Sequence, residues 1–588
     1  MTKTKLSFAI LLLLCSSVYF GFSQTVNDSV LFRAMEDEIT RGIDQLEYKD
    51  YAKPCYISYE ITDSKDLNIQ AELGTISNSD TSNSRTWSFR LIVGSYELND
   101  ENFSGQNQGN MGMGGAPDIL PIDNDYWGIR RSFWLNTNDI YLEAGANHRE
   151  KLNLIEKGKI EADALKLDDF ARADTVELLL PCNFVQPDIE KLEKKIAELS
   201  NSFYKYPELD FSTASMSFHQ NIVYFISNEG TKFRIPVNSA SIRVSVSKDI
   251  DDDNRLSSSF SYSAISPDDF PSNEVLLMEI ETLIGDLMEN EKAEKLEEDY
   301  TGPILILGDK ACEVLMDNLF DYDKSLFAER NNLVVDYNGD VYFEEIDNEW
   351  QSKIDKKILG DGVTITALPK LSSWHGKPVL GGYPIDSEGI IPPDSIVLVE
   401  DGILKNMLSS RTPTNVTSVS NGHYPFTASY SGVSKSKSPS VIKIEDKNGL
   451  SEVDLKAKLI ETAKEEELEF ALIARTIPSN VVEMSYNIYK VDLETGEETI
   501  LGNIYLNGNI EAKDMKKLVF GKETGLVNTG TGGYYDYGHL SSCIGPTALL
   551  IEEYEINVNK ERDKIHTAGD EITNPLELVD RSASGMTN

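Results

Sequence analysis

The stretch Tyr300–Phe320, YTGPILILGDKACEVLMDNLF, constrains this chain more than any other. A Gly-Pro turn leads into Ile304-Leu305-Ile306-Leu307, a short apolar block that reads as a buried strand. Gly308-Asp309 breaks the strand and sets Asp309 as N-cap of the segment that follows. From there Ala311, Val314, Leu315 and Leu319 fall at helical spacing, which turns one face of a helix toward a sheet. A strand that passes through a tight turn into a helix is a common place to hang chemistry.

On either side of this unit the patterns differ. Before it, helical spacing predicts helices over Asp28–Leu46, Trp127–Lys157, Ile189–Phe203 and Asn273–Glu298. Cys55, Ile57, Tyr59 and Ile61 alternate with Tyr56, Ser58, Glu60 and Thr62, as in a half-buried strand. Gly74–Ser84 reads as polar turn material and Thr86–Leu98 as a further strand. Met216–Val246 holds two or three strands turning at Asn228-Glu229-Gly230-Thr231, and Asp249–Asn254 is an acidic turn. Asp123 and Asp125 read as helix-capping residues, since no third oxygen ligand stands at compatible spacing. Gly105–Ala116 has phosphate-loop spacing but no strand before it and no helix after it, so it reads as a loop.

After the unit, strands dominate. They are expected over Asn332–Phe343, Gly362–Leu368, Phe470–Arg475, Ser485–Val491, Glu498–Leu506 and Gly545–Ile556, with one helix over Leu455–Glu467. Asp401-Gly402 joins Ser395–Glu400 to Ile403–Leu408 as a type I′ hairpin. The expected fold is α+β: an N-terminal mixed sheet with flanking helices, then a mainly antiparallel β domain. The expected organisation is a signal peptide over 1–23, domains over 24–299 and 300–570, and a flexible tail over 571–588.

Composition limits the partners. With 97 acidic against 55 basic residues the formal charge is −42. That disfavours nucleic acid, which needs a basic footprint, and anionic lipid surfaces equally. Lys3 and Lys5, the apolar run Phe8–Leu14, and Gly21 and Ser23 form a secretory leader pattern, so the chain is expected to be exported, periplasmic or extracellular. No other stretch has the roughly 20 apolar residues a membrane span needs. Cys55, Cys182, Cys312 and Cys543 lie far apart, lack zinc-knuckle spacing, and are expected as buried free thiols, although export permits disulfides.

YTGPILIL and its helix, followed by Tyr383-Pro384-Ile385-Asp386-Ser387-Glu388-Gly389 and Ser420-Asn421-Gly422-His423, resemble the TldD/PmbA family of peptidase-related proteins. Patches of likeness run in order from about Asp28 to Val558, including the turn ending at Thr231 and the strand after Gly545. In the zinc branch of that family the helix carries His-Glu-x-x-x-His; here the matching residues are Met316-Asp317-Asn318-Leu319-Phe320-Asp321. The zinc branch adds a cysteine upstream of the terminal strand, and Cys543 stands too close to that strand to match. The six histidines, His148, His219, His375, His423, His539 and His566, do not cluster in the sequence. A catalytic zinc needs about three protein ligands, so the resemblance implies a PmbA-like member with no zinc and no other cofactor.

The function expected on this resemblance is a metal-free peptide-binding or partner subunit in peptide processing. It would bind peptide or unfolded polypeptide along a sheet and pair as a homodimer or with a family paralogue. The alternatives are an exported hydrolase whose active site escapes recognition, or a non-catalytic structural or assembly component. Candidate catalytic residues are His423, Asp386 and Glu388. The candidate peptide cleft is formed by Met316, Asp317, Asp321 and Asn421, with α-helical residues 311–320 facing the turns 386–389 and 420–423 across a groove.

Overall fold

The computed structural model describes residues 25–105, 118–160, 165–250, 255–320, 324–336, 338–344, 346, 348–429, 432–476, 486–502, 506, 510–531 and 539–556. The leader segment, nearly all of the Gly-rich stretch, Asp321 and the C-terminal tail lie outside the described residues.

The first sheet grows from two strands of 19 residues each, β1 (Pro54–Glu72) and β2 (Thr75–Val93), joined by a two-residue turn. Strand Phe211–Ser227 (β3) pairs with the other edge of β1, then Lys232–Asp249 (β4) and Arg255–Ala264 (β5) follow antiparallel. Of the expected turn Gly74–Ser84, only Gly74 is turn; Thr75–Ser84 is strand. Its Asn, Ser and Thr side chains face solvent while its backbone stays in register with β1. The sequence reading also lacked β5, whose serine-rich alternation carries only a few apolar residues, Phe260 and Tyr262 among them.

Two helices, α1 (Thr25–Gln45) and α2 (Tyr126–Glu156), cover one end of this sheet. Leu31 and Met35 from α1, and Ile129 and Phe133 from α2, enclose Ile57, Tyr59, Ile61 and Trp87. Asp125 caps α2, its side chain accepting from the Gly128 N–H. Helices α3 (Ile189–Asn201) and α4 (Asn273–Lys292) cover the other end, through Leu192, Ile196 and Leu199 and through Leu276, Ile280 and Leu283. The opposite face of β1 is covered as well. Tyr56, Ser58, Glu60 and Thr62 are all buried, so β1 is sandwiched rather than half-buried. Lys435, on the hairpin formed by Phe426–Ser429 and Gly432–Lys435, reaches that face, with Nζ 2.8 Å from Glu60 and 2.6 Å from Ser88 Oγ.

Tyr300–Leu307 (β6) is the strand the sequence predicts, and it lies inside a second seven-stranded sheet. It pairs parallel with Phe470–Thr476 and antiparallel with the strand Ala548–Ile556. Period-two alternation splits its side chains between two cores. Leu305 and Leu307 meet Leu455, Leu459 and Ala463 of α6 (Glu452–Glu465), while Ile304 and Ile306 face α5 (Lys310–Phe320). A third, six-stranded sheet contains Val363–Ala367, Val441–Asp446 and β9 (His539–Pro546).

The expected strand Asn332–Phe343 is instead a tight hairpin, β7 (Asn332–Val335) and β8 (Val341–Glu344). Phe103–Ser104, from the N-terminal half, adds parallel to β7, which leaves β8 at the edge. The Asp401-Gly402 hairpin forms as expected, both residues at positive φ (51° and 77°). The architecture is α+β. No helix among the described residues is long and apolar enough to cross a membrane.

Candidate functional site

The turn 383–390 and the loop 409–423 meet at the seam between the two halves. Asp386 is fully buried and closes its own turn: its Oδ1 accepts from the N–H groups of Glu388 (3.0 Å) and Ile390 (2.8 Å). Gly389, at φ +83°, supplies the left-handed residue that the turn requires. Burial, and then the charge of Glu388, push the Asp386 carboxyl well above the usual carboxylate range.

Glu388 is an ion-pair hub. Its Oε1 accepts from Arg90 Nη1 at 2.6 Å and its Oε2 from the Arg411 backbone N–H at 2.6 Å. Arg90 also forks onto Glu101, with both contacts at 2.7 Å. Arg411, 1% exposed, forks onto Glu229 at 2.8 and 2.7 Å and donates twice to the Ala171 carbonyl. Its guanidinium lies 4.1 Å from the Phe170 ring centroid and 5.0 Å from that of Tyr56. Arg411 thus joins a C-terminal loop to the N-terminal hairpin turn that holds Glu229. Both Glu388 oxygens are engaged by arginine or backbone, an arrangement that fixes position rather than moving protons.

His423 is fully buried, with Nδ1 3.1 Å from both the Asn421 carbonyl and the Asn421 Oδ1. Burial lowers its pKa to about 4, so the imidazole is neutral, and Nε2 has no partner among the described residues. The Tyr383 ring meets it edge-on. Asn421 ties the loop together, accepting from the Ser409 N–H (2.8 Å) and donating to the Met407 carbonyl (2.9 Å). This group brings Asn421 and His423 together.

On α5 the sequence candidates separate. Asp317 is exposed, whereas Met316 is 1% exposed and sits in the largest core cluster. The expected groove floored by Met316 is therefore not open, since Met316, Asp386 and His423 are all sealed from solvent. The helix is buried nearly all round because Cys312, Met316 and Asn318 are enclosed along with the predicted apolar stripe. Asn318 pays its way by accepting from the Ile510 N–H (2.8 Å) and donating to the Val314 carbonyl (2.8 Å). These residues do not suit zinc: a thioether in an apolar core offers no hard or imidazole donor. Among the described residues no three His, Cys, Asp or Glu side chains converge on a point that could hold a metal ion.

The open concavity lies elsewhere. A cleft of about 690 Å³ is lined by Leu167, Arg330, Phe343, Ile346, Gln351 and Val416, among others. From β8, an edge strand of its sheet among the described residues, the exposed Phe343 lines the wall; its exposed neighbour Tyr342 does not. Arg330 anchors the opposite side, donating to the Asp168 carbonyl (2.6 Å) and to Asp169 Oδ1 (3.0 Å). Asp169 in turn accepts from Lys151 Nζ at 2.6 Å, and Lys151, 1% exposed, also reaches the Asn99 and Glu101 carbonyls. Burial pulls the pKa of both Arg330 and Lys151 down, against the opposing pull of Asp169. None of Met316, Asp317 and Asn421 lines this cleft. Sequence reasoning missed it because it is assembled from separate segments; the available signal was Phe343, a large apolar residue directly ahead of the acidic pair Glu344-Glu345.

Residues 342–452 match the family described as PmbA/TldA metallopeptidase C-terminal domain. No curated protein matches the chain. Among solved structures, it is similar to a proposed modulator of a DNA gyrase from Thermotoga maritima: TM-score 0.50, 11% identity, covering 85% of this chain and 96% of that one. A proposed modulator of DNA gyrase from Bacteroides thetaiotaomicron gives TM-score 0.51 at 11% identity, covering 90% of this chain and 98% of that one. TldE from Thermococcus kodakarensis gives 0.49 at 12% identity, covering 89% and 100%. At these identities the first two structures show the fold that this chain shares, and the match to the PmbA/TldA C-terminal domain is confined to residues 342–452.

Proposed function

We propose that this chain is a peptide-binding protein of the TldD/PmbA type that works without a catalytic zinc. An extended peptide adds to the edge of β8, and its side chains enter the 690 Å³ cleft beside it. The observation that carries this reading is a strand left unpaired on one side among the described residues, whose exposed Phe343 lines a concavity of ligand size. Main-chain pairing gives affinity that tolerates sequence, and alternate side chains find pockets. The affinity is modest for one chain, and a partner chain, a second copy or a paralogue, would close the site and strengthen it. Export rests on the leader pattern, with Lys3 and Lys5 ahead of Phe8–Leu14.

The test is fluorescence anisotropy of a labelled unstructured peptide, with mass spectrometry of the same mixture in the presence of added zinc. The expected result is saturable binding without cleavage, weakened at least about tenfold by Phe343→Glu, which sets a charge in the apolar wall. Cleavage of the peptide would favour the hydrolase reading. Absence of binding, or binding indifferent to Phe343→Glu, would leave a structural or assembly component.

A further inference from the structure

Cys312 and Cys543 are 231 positions apart in the numbering and share one niche. Cys312 stands in the first turn of α5, and Cys543 stands on β9, the strand against which α5 packs. Cys543 and Gly545 are two residues apart on that strand, so they point to the same face. The missing side chain at Gly545 leaves the space that both sulphurs occupy. A Cβ there would stand 2.8 Å from Cys312 Sγ and 3.0 Å from Cys543 Sγ. Cys312 Sγ also lies 3.6 Å from the Pro546 carbonyl. Both residues are closed to solvent, at 1% and 0% exposure. The other two described cysteines sit in different clusters, Cys182 under α1 and α2 and Cys55 beside Tyr56.

We propose that Cys312 and Cys543 are a disulfide site, closed by a disulfide-bearing oxidant and joining α5 to β9. One cysteine, as thiolate, attacks the oxidant's S–S bond, forming a mixed disulfide and expelling one thiol. The second cysteine, as thiolate, attacks the mixed disulfide, forming the Cys312–Cys543 bond and expelling the second thiol. The pair loses two protons and two electrons, and the oxidant's disulfide becomes two thiols. The neighbouring Cys543 thiol, and then burial, push the Cys312 pKa well up, which disfavours the attacking thiolate in the closed state. Exchange therefore belongs to the folding chain, before α5 closes on β9, and the finished bond is then shielded from reductant.

The full chain is unfolded with reductant, refolded in a glutathione/glutathione disulfide buffer, denatured without reductant, alkylated and mapped by mass spectrometry. The expected product is lighter by two hydrogens, with Cys15, Cys55 and Cys182 alkylated and the Cys312 and Cys543 peptides linked. Its Tm should fall when it is unfolded and refolded with reductant alone. Refolded in the same way, the Cys543→Ser chain should leave Cys312 open to alkylation. The proposal is overturned if all five cysteines alkylate in the oxidatively refolded chain, or if the linkage joins Cys15, Cys55 or Cys182 instead. The first readout needs no variant, so a variant that fails to fold does not remove the test.

Discussion

His423 shows what a polar side chain costs when the fold takes it out of water. An exposed histidine titrates near 6.5, whereas burial holds this one neutral down to about 4. Between those values the unfolded chain binds a proton that the folded chain refuses. Its contribution to stability is therefore complete above about pH 6.5 and is lost as pH falls toward 4, by on the order of 3 kcal/mol for one such group. Asp386 and its raised pKa work in the opposite sense, with stability present at low pH and lost as pH rises. Comparison of His423→Gln with the parent isolates the histidine. Urea midpoints between pH 4 and 6.5 should fall less steeply with acid in the variant; equal slopes would mean that His423 titrates normally. The Ser-Asn-Gly-His turn was visible in the sequence, and Gly422 at φ +78° is the residue that such a turn wants. Burial was not visible, because it is conferred by segments such as Tyr383 and Pro392 that are remote or not patterned to announce it.

The β1–β2 hairpin turns on Leu73 and Gly74, both at positive φ (45° and 75°). Asn-Gly or Asp-Gly is the usual choice there, since a leucine in the left-handed region crowds its own backbone. Leu73 is 43% exposed and so gives little packing in return. Leu73→Asn should therefore stabilise the chain by about 0.5–1 kcal/mol in equilibrium denaturation. A loss of stability would show that the leucine packs for more than its exposure suggests. The same turn explains a misreading. Asp401-Gly402 announced its hairpin and was found, whereas Leu-Gly carries no such signal, and the polar run after it reads as loop. The strand of Ile304–Leu307 and the helix after it were legible because each shows its own period over a few residues. The edge strand β8 was not, because its fate depends on Phe103–Ser104 arriving from more than 200 residues away to take the other side of β7.

The two halves are joined by more than chain continuity. One apolar cluster runs from Leu67 through Leu276 to Ile556, and Arg411 pins the C-terminal loop onto Glu229 and Ala171. Arg411→Ala would leave the half-buried Glu229 with only the Tyr96 hydroxyl and should cost roughly 2–3 kcal/mol in urea unfolding. Arg411→Lys, which keeps the charge but not the planar fork, should fall between the two. A loss below about 1 kcal/mol would mean that the pin is dispensable. The order of strands also has a consequence for the timing of synthesis. Tyr300–Leu307 takes Phe470–Thr476 on one side and Ala548–Ile556 on the other. A ribosome that has made this strand must add 240 further residues before its second neighbour begins to emerge. Until then its backbone groups on that side stay unpaired and its apolar faces stay open to other chains. The nascent protein must wait, and whatever holds it meanwhile has a defined edge to hold.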